Sequence, residues 1–338
     1  MLSFKDIKKV ELELSSMCNA SCPLCPRNLF GYDMDLGYTK RNLTLKEIKT
    51  ILDLDFLSQL EFIKFEGNFG DPLANPEILD IIDYLGTPIK CVTNGNFRNE
   101  NFWKELARRD VIVEFGIDGI NQKTHSRYRK GTNLQKILKN AETFINNGGT
   151  ATWKMIKFNF NEHQSGECDN MSKQMGFSEF ILVDHGRNSG PVFDQSGKLI
   201  DVLGDFSGSV DFEHYINLHQ SGEILIEDIT DNPKDSISCQ SLNEKMIYIS
   251  SEGKVFPCCF MGFTPEKYGK GRWHEPVNKQ IKELCYKNDA LVYDIRTCIE
   301  WFNSIPTRWD KPTFESGRLI VCDSSCGSCK KSTSAMQN

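Results

Sequence analysis

From Val10 to about Val183, short β-branched runs alternate with longer segments of helical period, and no other feature of the 338-residue chain narrows its fold as much. The runs VELEL (10–14), EFIKFE (61–66), PIKCVT (88–93), VIVEFGI (111–117), ATWKMIKF (151–158) and SEFILV (178–183) read as six strands. Strands separated by helices pair in parallel, so the expected class is α/β. Between the strands, Thr44 and Glu47 form a capping box that opens a helix toward Phe56, and Asn75-Pro76 caps a helix that Gly86 ends. Asn99 caps ENFWKELARR, another helix runs from about Asn133 to the Gly148-Gly149 stop, and a weaker one covers about 166–175.

After Asp184 the pattern gives way to scattered Gly, Asp, Ser and Asn, which reads as a linker. Beyond it EKMIYIS (244–250), the turn SEGK and VFPCCF (255–260) read as a hairpin. The remainder is rich in Trp, Pro and Cys, and the tail KKSTSAMQN is expected to be disordered. The expected organisation is a core domain over 1–225 and a small Cys-rich domain over 226–338. A net charge of -6 argues against a nucleic-acid partner held through phosphates. No run of about 18 apolar residues suggests a membrane span, and the N-terminus lacks the regions of a signal peptide, so the expected location is the cytoplasm.

Thirteen cysteines are many for a reducing compartment, where disulfides rarely persist, and metal binding is the natural reading. They fall into two groups. Cys18, Cys22 and Cys25 stand in SSMCNASCPLCPRN; Cys91 and Cys168 follow singly; Cys239, Cys258, Cys259, Cys285, Cys298, Cys322, Cys326 and Cys329 come late. A structural zinc corner normally closes with four side chains, and no histidine stands near the first three. A cubane iron-sulfur cluster on three thiolates leaves one iron open to a ligand.

The CX3CX2C spacing followed by Pro26 resembles the radical S-adenosylmethionine (SAM) superfamily. The resemblance implies a partial (βα)6 TIM-like barrel with the cluster loop after its first strand. It also implies a cubane on Cys18, Cys22 and Cys25 that binds SAM. Further motifs fall after successive strands: EGNFGDP (66–72), TNG (93–95) and GIDG (116–119), then Arg129 in HSRYRKGTN. By resemblance Gly67, Gly70 and Asp71 face the SAM amino group, Asn94 and Asp118 line its site, and Arg129 pairs with its carboxylate. The sequence departs from the family at Asp71, where Glu is common, and at Leu24, where an aromatic is common.

The late cysteines resemble the auxiliary-cluster extension of these enzymes in its shorter, twitch form. One cubane would take Cys239, Cys258 and two of Cys322, Cys326 and Cys329, with Cys326 and Cys329 preferred; zinc is the alternative. Cys259 should point away from Cys258 into the core, and Cys91, Cys168, Cys285 and Cys298 read as structural thiols. His185 and Arg187 after the sixth strand, and Asn161, His163 and Gln164 after the fifth, are candidates for substrate contact. Trp153 and Lys154 read as the far end of the fifth strand, the ring packing. The implied chemistry is reductive cleavage of SAM to a 5′-deoxyadenosyl radical that takes a substrate hydrogen, with a flavodoxin or ferredoxin as reducing partner. The expected reaction is oxidation of a small molecule, with peptide side-chain modification as the alternative. With the first strand beginning by about residue 10, docking through a separate leader-binding domain is not expected. A non-catalytic iron-sulfur or zinc protein is the reading from another class.

Overall fold

Six parallel strands stand in the order of the chain, β1 (Lys9–Leu12), β2 (Phe62–Phe65), β3 (Ile89–Thr93), β4 (Val111–Gly116), β5 (Thr150–Ile156) and β6 (Glu179–Val183). The alternation predicted all six within about two residues at each end. The computed structural model describes residues 2–33, 38–183, 189–221, 236–263 and 275–328.

The capping signals hold where they rest on side-chain chemistry. Glu47 N–H donates to Thr44 Oγ1 at 3.2 Å and Thr44 N–H to Glu47 Oε2 at 2.8 Å, opening α1 (Leu45–Ile51). The helix stops short of Phe56: Asp53 accepts from Phe56 N–H at 2.8 Å and starts a second one, α2 (Leu54–Gln59). Glu77, rather than Asn75, stands at the cap of α3 (Ile78–Leu85), because the Asn75 amide donates to the carbonyls of Leu14 and Leu43. Asn99 and Asn133 cap α4 (Glu100–Leu106) and α6 (Leu134–Asn146); α5 (Gln122–Tyr128) and α7 (Ser165–Gln174) complete the layer. One face of each strand, with Val10, Ile63, Cys91, Val113 and Trp153, buries against Ile48, Ile81, Trp103 and Ile137 of these helices. The opposite face looks into the barrel.

The expected linker is instead structured. Asp194 Oδ1 accepts from Ser196 N–H at 2.8 Å and tightens a turn between β7 (Gly190–Phe193) and β8 (Leu199–Leu203), and α8 (Phe212–Ser221) follows. Polar turn residues dominate the segment's composition and hide two short strands. Residues 184–188, with His185 and Arg187, lie outside the described residues, as does the expected boundary at 225/226.

The C-terminal part opens with β9 (Ser236–Ile237) and α9 (Gln240–Glu244). The expected hairpin forms from β10 (Met246–Ile249) and β11 (Val255–Phe256), and it joins the barrel: β10 pairs in parallel with β1, Glu11 opposite Tyr248, giving one open eight-stranded sheet. Helices α10 (Glu275–Leu284), α11 (Ile295–Ile299) and α12 (Ile320–Cys326) follow, and β12 (Gly327–Ser328) pairs with β9. Among the described residues no helix is long and apolar enough to cross a membrane.

Candidate active site

The loop after β1 folds back twice, with Cys25 N–H donating to Cys22 O at 2.9 Å and Asn28 N–H to Cys25 O at 3.2 Å, and so gathers Cys18, Cys22 and Cys25. Groups that favour negative sulfur surround them. Cys18 Sγ accepts from Ala20 N–H at 3.4 Å and from the Asn94 amide at 3.3 Å. The Arg27 guanidinium lies beside Cys18 and Cys25, and that of Arg129 beside Cys22. Burial pushes the Cys18 thiol up to about 12, the Asp71 carboxylate adding to the rise and Arg27 opposing it. Three thiols under N–H donors and two cations suit an anionic iron-sulfur cluster, whose sulfurs take such hydrogen bonds. Val192 and Leu203 of the β7–β8 hairpin pack with Cys22, Tyr128 and Phe158, shielding the loop from water.

Every residue assigned by resemblance to SAM lies on loops above the same strand ends. Gly70 passes so close to the chain at Ser15 that a Cβ would stand 1.8 Å from the Ser15 carbonyl oxygen, so only glycine fits there. Gly67 crosses over the Glu13 carboxylate, which accepts Phe69 N–H at 2.6 Å. Asp118 is fully buried; its Oδ1 accepts Ile156 N–H at 2.7 Å and its Oδ2 accepts Arg129 Nε–H at 2.6 Å. Gly116 gives room for the outer nitrogens of Arg129, since a Cβ there would meet them at 2.8 Å. Burial works against the Arg129 charge, but Asp118 together with the Cys22 sulfur and the Tyr128 hydroxyl outweighs it and holds the pKa above its ordinary value.

Asp71 is also buried, at 4% exposure. Its carboxylate accepts Leu73 N–H, Thr93 Oγ1–H and Asn94 N–H at 2.8 to 3.0 Å, three donors for about four lone-pair sites. It laces the loop after β2 to the end of β3.

The late cysteines converge elsewhere. Cys239 at the start of α9, Cys258 after β11, and Cys322 and Cys326 one turn apart on α12 line one small cavity of about 50 Å³. This pairs Cys322 with Cys326, where the sequence preferred Cys326 with Cys329; Cys329 lies outside the described residues. Cys259 does not simply pack in the core: its thiol lies beside the Glu11 and Glu66 carboxylates, at the edge of the same cavity. Cys91, Cys168 and Cys298 are buried. Among the described residues no group of three or more His, Cys, Asp or Glu is arranged to hold a single metal ion.

Other expectations shift. Asn161 braces the backbone, donating to Asp118 O at 3.1 Å and Ile156 O at 2.9 Å; Gln164 donates to Thr124 Oγ1, and His163 is exposed. Trp153 packs in the core as expected, but Lys154 stands beside Gly116, near the catalytic end of the barrel, because β5 begins before Ala151. Sequence reasoning missed the charged inward face: Glu11, Glu13, Lys64, Glu66, Lys90, Glu114 and Lys154. The signal was present as alternation in VELEL, FIKFE and VEFG.

Residues 12–159 match the family described as the Radical SAM superfamily. They form a radical SAM domain. Solved structures share the fold of the chain. Streptococcus suis SuiB bound to S-adenosylmethionine aligns with a TM-score of 0.55 at 14% identity, over 94% of this chain and 77% of that one. Native anSMEcpe with bound AdoMet and Kp18Cys peptide aligns with a TM-score of 0.52 at 16% identity, over 96% and 91%. A further SuiB structure aligns with a TM-score of 0.53 at 14% identity over 78% of this chain, which spans 63% of that protein's length. No curated protein sequence matches the chain.

Proposed function

We propose that the chain is a radical SAM enzyme that holds its substrate in the barrel interior and oxidises it with help from a second cluster. The observation that carries this reading is the gathering of Cys18, Cys22 and Cys25 under hydrogen-bond donors and two arginines, at the strand ends where barrel enzymes place their chemistry. A cubane on these thiols would supply an open iron and one electron for splitting SAM into methionine and a 5′-deoxyadenosyl radical. Arg129, fixed by Asp118, orients the SAM carboxylate, and the arch from Gly67 to Gly70 lets backbone approach its amino group. The β7–β8 hairpin and Phe158 keep water from the reactive carbon.

Cys239, Cys258, Cys322 and Cys326 would hold an auxiliary cluster that accepts the second electron. Their cavity shares Glu11 and Cys259 with the barrel interior, which supports electron transfer between a substrate held there and the four thiols' cluster. The first electron would come from a reducing partner such as flavodoxin or ferredoxin.

The preferred substrate is a small molecule. A peptide side chain is the second reading, favoured by the likeness to anSMEcpe solved with a peptide. Deuterium transfer from labelled candidates into 5′-deoxyadenosine, followed anaerobically by mass spectrometry, tests both. Transfer from a small molecule supports the first reading, and transfer from peptides alone supports the second.

A further inference from the structure

The barrel interior is polarised. Toward β1 and β2 it is rich in carboxylates: Glu11, Glu13 and Glu66 against Lys64, which bonds Glu66 and stands 3.6 Å from Glu11. Toward β3, β4 and β5 the balance reverses. Glu114 sits between two ammonium groups, Lys90 Nζ at 2.6 Å and Lys154 Nζ at 2.8 Å. The carboxylate is 3% exposed while the lysines are 24% and 27% exposed, so the surface offered to the interior is cationic. One carboxylate cannot neutralise two ammonium groups; Glu66, bonded to Lys64, also acts on Lys154, and exposed Glu179 stands opposite Thr152 in the β5–β6 register.

A second observation points to a ligand here. Thr152 stands opposite Glu114 in the β4–β5 register, on the same inward face, and is 5% exposed. Its Oγ1 is buried with no hydrogen-bond partner. Buried hydroxyls are nearly always satisfied, and an orphan two residues from Lys154 on the same strand face, opposite the carboxylate that both lysines share, marks a place for an acceptor.

We propose that Lys90, Lys154 and Thr152 form a carboxylate-binding site for the substrate, with Glu114 positioning the two lysines. It rests on the reading that the interior receives the substrate. A carboxylate fits better than a phosphate: Lys90, Lys154 and Glu114 together carry a single positive charge, which matches a monoanion, and among the described residues no arginine fork or helix N-terminus serves them. Gly116, under Arg129, lies two residues beyond Glu114 on the same face, so the site stands about 7 Å below the SAM loops. A substrate anchored there by its carboxylate would present a neighbouring carbon to the radical.

The test uses anaerobically prepared holoprotein with SAM, lysines lightly acetylated and read by mass spectrometry. The probes are N-acetylglycine, its amide N-acetylglycinamide, and inorganic phosphate. N-acetylglycine should slow acetylation of Lys90 and Lys154 about fivefold while leaving exposed Lys139 unchanged, and the amide should protect neither. The charge-balanced variant K90M/E114Q/K154M removes the cluster without stranding a buried charge, and should fold yet lose calorimetric binding of N-acetylglycine. Equal protection by the amide, protection by phosphate alone or by SAM alone, no protection by any probe, or unchanged binding in the triple variant would overturn the proposal. Formation of 5′-deoxyadenosine in the same preparation reports on the SAM reading separately.

Discussion

Arg129 donates from Nε to Asp118 at 2.6 Å, a pair in which the carboxylate is wholly buried and the guanidinium keeps its outer nitrogens over Gly116. The two residues lie eleven apart, one just past the end of β4 and one after α5, so the pair ties the loop after β4 to the cysteine loop after β1 through Cys22.

Breaking this pair strands a buried charge. Arg129→Met should lower unfolding free energy by about 3 to 5 kcal/mol, read by thermal or denaturant unfolding, whereas Asp118→Asn, which retains an acceptor, should cost less. Arg129→Lys should fold better than the methionine variant yet bind SAM more weakly than native protein by about tenfold, since an ammonium lacks the planar fork that engages Asp118 through Nε and leaves two outer nitrogens for a second carboxylate.

Gly70→Ala drives a methyl group into the Ser15 backbone. Overpacking alone costs about 1 to 3 kcal/mol, and here the obstacle is main chain, so the cost should reach or exceed the top of that range. Circular dichroism melting and iron content should fall together, because Ser15 leads into the cluster loop.

Glu13 predicts a pH effect. Burial raises its pKa from 4.5 to about 7, against the pull of Phe69 N–H and Tyr248. The native state therefore binds a proton that the unfolded chain has released, and stability falls as pH rises from about 4.5 to about 7, by about 3 kcal/mol in all. Glu13→Gln should flatten this part of the profile and gain relative to native protein at pH 8, as measured by denaturant unfolding at both ends.

Much of this arrangement could be read from the residues. The β1–β6 alternation, the Thr44–Glu47 box and the Asn99 cap are local signals, and local signals survive folding. The parallel pairing of β10 with β1 joins segments 235 residues apart in the Glu13–Tyr248 contact, and no periodicity encodes a partner at that distance. The β7–β8 hairpin was hidden because its turn is made of Asp, Ser and Gly, residues that also fill linkers. Asn161 was misread because a polar residue at a strand end looks the same in sequence whether it faces a ligand or satisfies neighbouring backbone groups. The charged interior was legible in VELEL and FIKFE, and only the register showed which charges meet.

The two cysteine groups should be separable by metal content. Cys322→Ala with Cys326→Ala should remove about half of roughly eight irons while leaving the first cluster's absorbance. Loss of zinc rather than iron would instead mark the late cysteines as a structural metal site.

The most direct measurement is the yield of 5′-deoxyadenosine from SAM and a strong reductant, under anaerobic conditions, for reconstituted native protein and for the variant with Cys18, Cys22 and Cys25 all changed to Ala. The native chain should release the nucleoside and the variant none, although both fold. An iron-loaded native protein that never cleaves SAM, or a triple variant that still does, would contradict the account.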